Sequence, residues 1–554
     1  MSRIMKHCIV ILSLIMIFGI SGCGTVYKNY TQKPEPEGVL HVGMPQVIVV
    51  SGSNYEMGYQ YAQQVAPLIY NNHVLTRGAL VSAYGKEVAA KDIQVWTYYW
   101  WKYDPGLKDW LEGMSAGCKD MGYNISPLDI AAISLYPVEL WGRPDTPYPE
   151  EAGVQSAAQV STDPADPAEY HSCTSLSATA SATRDGKPVV AVTKMVPIET
   201  MQCSILIAFP DEGRSFVGFP RAGQVAAGAG MNSAGFAATE TAIFGPKVWG
   251  YDINGYFHYL PQYCKSTAEA QEYLRSTPRA GVMGTVNMAD AAGNICVFEG
   301  NALDFAIREP GEAGETAPFL VETNHLVDAD MQSYNIPWEK WAWNLGSKYR
   351  YATAFEYIKA AAEKSEIDFE FIKAMYSSDD WYDPDTKTWH YNEPGSRNLN
   401  NNFPSSVAQA VLFPADLIAY FQIGTPSGIG VPADATGEYV KLKLADDPAT
   451  VTKNVENIAF GFYTAARNLF EKELNNNAPY LTYSIAKSLE KMLDEAMLEY
   501  QRGMDKNALA IMAKVEGAAV NEEVALWSKA LTHYAKTQLY AQMVTTQLKN
   551  LAAP

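Results

Sequence analysis

One run of small residues limits the folds open to this chain more than any other: Cys173-Thr174-Ser175-Leu176-Ser177-Ala178-Thr179-Ala180-Ser181. Read as a strand, it has two unlike faces. Cys173, Ser175, Ser177, Thr179 and Ser181 lie on one side, and Thr174, Leu176, Ala178 and Ala180 on the other. Arg184-Asp185-Gly186-Lys187 then turns the chain, and residues 188–192 return as a second strand. A cysteine that opens such a hairpin is either a nucleophile at a strand end or a small buried hydrophobe.

The same period-two pattern recurs along the middle of the chain. Residues 46–50 form a short apolar strand that passes into a helix over 51–70. Further strands are predicted over 204–209, 215–219, 235–241, 284–288, 295–299, 319–322, 407–413 and 418–423, with helices near 266–274 and 341–362. Runs of strands with helical layers at both ends suggest an α+β sandwich. From residue 447 onward only helical spacing remains, over 455–473, 483–502, 507–515 and 521–548, which reads as an added C-terminal helical bundle.

The N-terminus carries an address. Arg3 and Lys6 precede an apolar run, residues 8–20, that is too short to span a bilayer and reads as a secretory signal. Ile20-Ser21-Gly22-Cys23 resembles a bacterial lipobox, with lipidation expected at Cys23; a plain signal cut nearby is the alternative. Gly24 after the cysteine favours, by that resemblance, an outer-membrane lipoprotein facing the periplasm. The expected organisation is a signal peptide over 1–22, a tether over 23–38, an N-terminal helical segment and linker over 39–172, a core over 173–446 and the helical unit over 447–554. The chain has 61 acidic against 42 basic residues, a formal charge of −19, which argues against nucleic acid or anionic lipid as a partner. Five cysteines remain beyond the lipobox: Cys118, Cys173, Cys203, Cys264 and Cys296. An odd count in an exported chain flags a reactive thiol, and no clustered His/Cys spacing suggests a metal site.

Two other stretches invite a chemical reading. Residues 95–111 hold Trp96, Tyr98, Tyr99, Trp100, Trp101, Tyr103 and Trp110, either core or a wall for an apolar substrate. Gly113-Met114-Ser115-Ala116-Gly117 matches the GxSxG of serine esterases. A nucleophile elbow needs a buried strand before the serine, whereas residues 106–112 have helical spacing, so the glycines are expected to let two helices approach. Residues 143–170, rich in Pro, Asp, Glu, Ala and Ser, form an exposed loop that ends just before Cys173.

Five segments in order carry a family resemblance: Ser172-Cys173-Thr174-Ser175 with Asp185-Gly186-Lys187-Pro188, Gly230-Met231-Asn232-Ser233-Ala234-Gly235, Asp290-Ala291-Ala292-Gly293-Asn294, Glu322-Thr323-Asn324-His325 and Ser406-Val407-Ala408-Gln409. Together they resemble the choloylglycine hydrolase superfamily, in its acyl-CoA:6-aminopenicillanate acyltransferase-like branch, the C45 peptidases. The resemblance spans residues 40–445. It implies a four-layer αββα N-terminal-nucleophile sandwich, made as a precursor that cuts itself between Ser172 and Cys173. The product is an amidohydrolase or acyltransferase acting on linear amides without metal or organic cofactor. Cys173 is then the nucleophile and Asn324 an oxyanion donor. Asn232 is a second amide candidate or a turn residue, and Thr174, Ser175 and His325 are neighbours of the substrate or the amine.

The chain departs from the pattern at the end of the second strand. Thr193-Lys194-Met195 stands where the family has an acid near the amine, and Lys348 and Arg350 are the basic residues available after the asparagine. Two rival readings follow: an esterase using Ser115, and a non-catalytic ligand-binding lipoprotein on the same fold.

Overall fold

In β1, Gln46–Gly52, Val47 and Val49 face one apolar cluster while Ile48 and Val50 face another. A strand buried on both faces needs a layer on each side, and the rest of the chain supplies them. The structure, a computed structural model, describes residues 46–155, 173–195, 204–225, 228–244, 246–280, 282–335, 342–393, 397–399, 407–423 and 437–553. The signal, the tether, Cys23, Ser172 and Cys203 lie outside the described residues.

β1 pairs in parallel with β4 (Ser204–Pro210). The sheet then runs antiparallel through β5 (Phe216–Gly218), β6 (Ala229–Asn232), β7 (Phe236–Phe244), β8 (Val282–Asp290), β9 (Ile295–Gly300) and β10 (Phe305–Arg308). The second sheet has the order β11 (Phe319–Glu322), β2 (Cys173–Ala178), β3 (Val189–Met195), β14 (Val407–Phe413), β15 (Ile418–Ile423) and β16 (Val440–Lys443), antiparallel throughout. β12 (Trp381–Asp383) and β13 (Thr388–His390) form a separate hairpin. The first sheet's outer face is covered by α1 (Asn54–Tyr84), α2 (Lys86–Tyr103), α3 (Pro105–Asp120), α4 (Pro127–Gly142), α5 (Ile253–Tyr263) and α6 (Thr267–Ser276). On the second sheet's outer face, α7 (Ala342–Ala362) and α8 (Phe369–Tyr376) pack on Leu176, Val189 and Phe319. Between the sheets lie Val47, Val190, Ile207, Val297, Leu320 and Phe421. This is the αββα sandwich expected from the resemblance.

Local sequence explains the element ends. Ser53-Asn54-Tyr55-Glu56 opens α1 as a capping box: Glu56 N donates to Ser53 Oγ, and Ser53 N donates to Glu56 Oε2. The two-faced run at Cys173 forms a strand only to Ala178. Ala180, at φ 46°, then starts a short 3-10 turn, so Ser181 leaves the face it was expected to share.

The C-terminal helices are α9 (Pro448–Asn475), α10 (Tyr483–Glu516) and α11 (Val520–Ala552). The break expected between residues 502 and 507 is absent. Gly503 lies inside α10 because a Cβ there would come within 2.5 Å of the Tyr534 ring on α11, so the glycine serves helix packing and not termination. These helices belong to the same compact unit as the sheets. The outer edge of β1 has no strand neighbour among the described residues, and α11 satisfies it with hydroxyls. Val47 N donates to Thr532 Oγ1 (3.0 Å), and Val49 N donates to Ser528 Oγ (2.8 Å). At the free edge of the second sheet, Gln538 of the same helix accepts from Lys441 N and donates to Lys441 O. One helix therefore blocks an edge of each sheet, where unpaired main chain would invite another chain.

Ser528→Ala leaves the buried Val49 N–H without an acceptor. It is expected to lower stability by about 1–3 kcal/mol, read as a drop in the denaturation midpoint of the whole chain.

Candidate active site

Cys173 is the first residue of β2, at the end of an inner strand of the second sheet, and is 7% exposed. β2 is flanked by β11 and β3, so two neighbours reach the cysteine through register alone. Lys194 of β3 stands directly opposite Cys173, and Glu322 of β11 opposite Ser175, which brings the next turn, Thr323-Asn324-His325, alongside Cys173.

Asn324 ties the site together. Its Oδ1 accepts from Cys173 N (2.9 Å) and from Arg350 Nη2 (2.9 Å), and its Nδ2 donates to Ala242 O of β7 (2.9 Å). Its main-chain N donates to Ser347 Oγ (2.8 Å). Arg350, one turn along α7 from Ser347, also donates through Nη1 to Cys173 O (2.5 Å) and Thr174 Oγ1 (3.4 Å). Residues three apart share a helix face, so one face of α7 holds both the asparagine and the cysteine main chain. Of the two basic residues named from the sequence, Arg350 is the one at the site; Lys348 pairs with Asp385 at the surface.

Burial pushes the Cys173 thiol above its ordinary range. Lys194 pulls it back down, Glu240 of β7 pushes it up, and Arg350 and a hydrogen bond from the Ala242 N–H pull it down. Burial also draws Arg350 down to about 10, against the influence of Cys173; it remains a cation at neutral pH. His325 Nδ1 lies 2.8 Å from Ser347 Oγ and 3.1 Å from Thr323 Oγ1, and burial together with Arg350 and Arg308 lowers it to about 3. His325 is thus neutral and fixes the turn that carries Asn324.

Behind that turn is a buried charge cluster. Arg308 binds Glu299 (2.9 Å), Glu315 (2.6 Å) and Glu322, while Glu299 Oε2 accepts from Val327 N and Asp328 N. Burial and the neighbouring Glu299 hold Glu322 well above the carboxylate range despite Arg308.

A family model described as acyl-coenzyme A:6-aminopenicillanic acid acyl-transferase matches residues 190–367. The resemblance to that family holds. The matched stretch of this acyltransferase-like core contains Lys194, Glu240, Asn324 and Arg350 and begins after Cys173. No curated protein matches the chain. Two solved structures of variants of conjugated bile acid hydrolase from Clostridium perfringens are similar at 12% identity, each with a TM-score of 0.30. Each covers 50% of this chain, over 97% and 98% of its own length.

Not every expected residue of the acyltransferase-like core gathers at Cys173. Asn232 is spent elsewhere: its Nδ2 donates to Pro261 O and Cys264 O, and its Oδ1 accepts from Ala234 N and Phe236 N. It closes the β6–β7 turn, and no bond among the described residues joins it to Cys173. The structure places it as a turn residue. Thr174 points to the helix side, and its carbonyl accepts from Tyr376 OH. Ser175 is on the cysteine's face but deeper, bonded to Thr239 Oγ1 (2.7 Å). Neither hydroxyl is exposed to a ligand. Trp96, Trp100 and Trp110 are buried in the core under the first sheet, which removes them as a substrate wall.

Ser115 lies inside α3 and donates to Ile125 O (2.6 Å), with no strand before it. A Cβ at Gly113 or Gly117 would collide with the main-chain oxygens of Tyr55 and Tyr59 in α1, so these glycines serve helix contact. The esterase reading loses its geometry. Among the described residues no group of three His, Cys, Asp or Glu side chains is placed to hold a metal ion.

Sequence reasoning missed the ion pair of Lys194 and Glu240. Counting back from the Arg184–Lys187 turn would have put Lys194 opposite Cys173, whereas Glu240 comes from the other sheet and no local pattern announces it.

Between about pH 6.5, the ordinary imidazole value, and about pH 3, the unfolded chain binds a proton at His325 that the folded chain refuses. Stability therefore falls with acid through that window and owes nothing to this group above it. His325→Gln should flatten the acid limb, measured by denaturant unfolding at pH 7, 6, 5 and 4; an unchanged slope would contradict a neutral, half-buried imidazole.

Proposed function

We propose that this protein is a self-processing N-terminal-cysteine amidohydrolase or acyltransferase acting on linear amide bonds: N-acyl amino compounds, peptides or lipid amides. The observation that carries this reading is the hold on Cys173. Its main-chain N is bonded to Asn324 and its carbonyl to Arg350.

In the precursor the Cys173 thiolate attacks the carbonyl of Ser172, and the peptide nitrogen leaves as the sulfur takes the acyl group. The displaced nitrogen takes a proton as the new α-amino group, and hydrolysis of the thioester then frees the Ser172 carboxylate and returns the Cys173 thiol. An ordinary α-amine titrates near 7.7–8.0, so it accepts the thiol proton in each later turnover without a separate histidine. The thiolate then attacks a substrate amide, the amine returns the proton to the leaving nitrogen, and water or a second amine takes the acyl group from sulfur. The developing oxyanion needs donors in a dry site. The second N–H of Asn324 Nδ2 and the Ala242 N–H are the donors we assign, and Arg350 keeps the asparagine in register. The leader sequence supports the cell envelope as the location of this chemistry, on a lipid anchor at Cys23.

Intact mass and terminal sequencing of the mature protein test the reading. The wild type should give two fragments, one beginning at Cys173 and the other with a lipidated Cys23, and the Cys173→Ala variant should remain a single chain, uncut after Ser172. In the matured enzyme, Asn324→Ala should lower kcat by about 10²–10³. An uncut wild type with a thiol inert to alkylation would sink the mechanism and leave a binding lipoprotein.

A further inference from the structure

The second strand of the hairpin ends in Thr193-Lys194-Met195, with no acid where the family resemblance calls for one. The charge that stands near Cys173 instead comes from both sheets. Lys194 is directly opposite Cys173 in the β2–β3 register, and directly opposed residues share a face of the sheet. Its ammonium is paired with Glu240 of the facing sheet, and the two side chains are only 13% and 14% exposed. The lysine reaches that carboxylate past Gly228, where a Cβ would sit 2.7 Å from Nζ on a backbone of φ +64°, so a side chain at 228 would block the pair. Glu240 Oε2 is buried and has no hydrogen-bond partner among the described residues.

A pair that only joined the sheets would not need half its carboxylate idle, nor a place beside a buried thiol. The charged groups that face Cys173 are Lys194 from β3, Arg350 from α7 and Glu240 from β7, and His325 is neutral. Without Glu240 the site would hold two cations, and an α-ammonium formed there would be a third. Such a potential favours the thiolate but strips the amine of its power as a base. In the uncut chain the Cys173 nitrogen has one N–H, already given to Asn324 Oδ1. Cutting turns it into an ammonium with two more donors and a charge, and Glu240 Oε2 is an idle carboxylate oxygen on the facing sheet.

We propose that the Lys194–Glu240 pair sets the proton balance between the Cys173 thiol and its α-amine: Lys194 supports the thiolate, and Glu240 supplies the negative charge, absent from β3, that lets the amine hold a proton. This rests on the reading of Cys173 as a self-released N-terminus. The proton it governs moves from Sγ to the α-nitrogen and back, with no outside reactant.

The test follows two titrations in the matured protein: alkylation of Cys173 by iodoacetamide and acetylation of its α-amine by acetic anhydride, both against pH and read by mass on the Cys173 fragment. A positive potential lowers the midpoint of either group. Glu240→Gln should therefore move both midpoints down, and Lys194→Met should move both up, each by about one pH unit or more. Lys194→Arg should restore the wild-type profile. Loss of a merely structural bridge would move the two variants the same way or not at all, and that result overturns the proposal. If Glu240→Gln stays uncut, the Lys194→Met rise and its rescue by Lys194→Arg decide. A wild type that matures while its variants titrate unchanged removes this inference alone; a wild type that never yields a Cys173 terminus removes the proposed function with it.

Discussion

A guanidinium without a carboxylate is buried at the centre of this structure. Arg350 is fully enclosed, and among the described residues it bonds only to the neutral oxygens of Cys173, Thr174 and Asn324, with its Nε unpartnered. An uncompensated buried ion costs several kcal/mol, and the downward pull on Arg350 is that cost expressed as proton affinity. The same burial pushes the Cys173 thiol the other way. In both groups burial favours the neutral form, and Lys194 and Arg350 offset it at the sulfur only in part.

Groups buried at this cost keep their places only if the neighbours cannot relax. Asn324 is gripped from two directions. From the helix side, Ser347 and Arg350 hold its main chain and its amide oxygen. From the far side, Arg308 draws Glu299, Glu315 and Glu322 into one buried knot, and Glu299 extends it to Val327 and Asp328 beyond the asparagine. Three carboxyls on one guanidinium cannot all be ionised cheaply, and burial beside Glu299 holds Glu322 well above the usual carboxylate range. Breaking such a network by removing one partner strands the others in a dry place. An amide held this way keeps the fraction-of-an-ångström placement that catalysis by positioning demands.

What could be read from the chain follows from the range of each interaction. The two faces of β2, the strand series and the sandwich are period-two signals, and a reader of sequence sees them directly. Asn324 was picked out by its place in the family motif, at the end of a short apolar strand, and the structure sets it beside Cys173. Asn232 stayed open between two readings: an asparagine in a tight turn and one in an oxyanion site look alike until its four bonds are counted. The Trp-rich stretch left core and substrate wall both open for the complementary reason, since burial of Trp96 and Trp100 depends on which layer covers them. Glu240 was out of reach altogether. Its meaning comes from Lys194, 46 residues away on the opposite sheet, and no local spacing encodes a meeting between sheets. Gly503 falls in the gap between two helices expected from the sequence and turns out to be a contact inside one, because Tyr534 needs the room.

The two ends of the sandwich do different work. Near Cys173 the space between the sheets is polar, with Ser175, Thr239, Thr241 and Thr285 bonded to one another in pairs. Ser177 Oγ and both amide atoms of Asn287 are buried there without partners among the described residues. Each such group costs about 1–3 kcal/mol, so this end cannot hold the sheets together. At the other end, Val49, Ile207, Phe421 and Leu442 continue into Val455, Trp527, Leu531 and Tyr534 of the C-terminal helices as one apolar cluster. Burying a side chain of that size is worth about 1.5–3 kcal/mol, and there are enough of them to outweigh the polar end. The C-terminal helices touch no residue of the candidate site among the bonds described, yet the site depends on them: they supply the cohesion that lets the other end stay polar and charged.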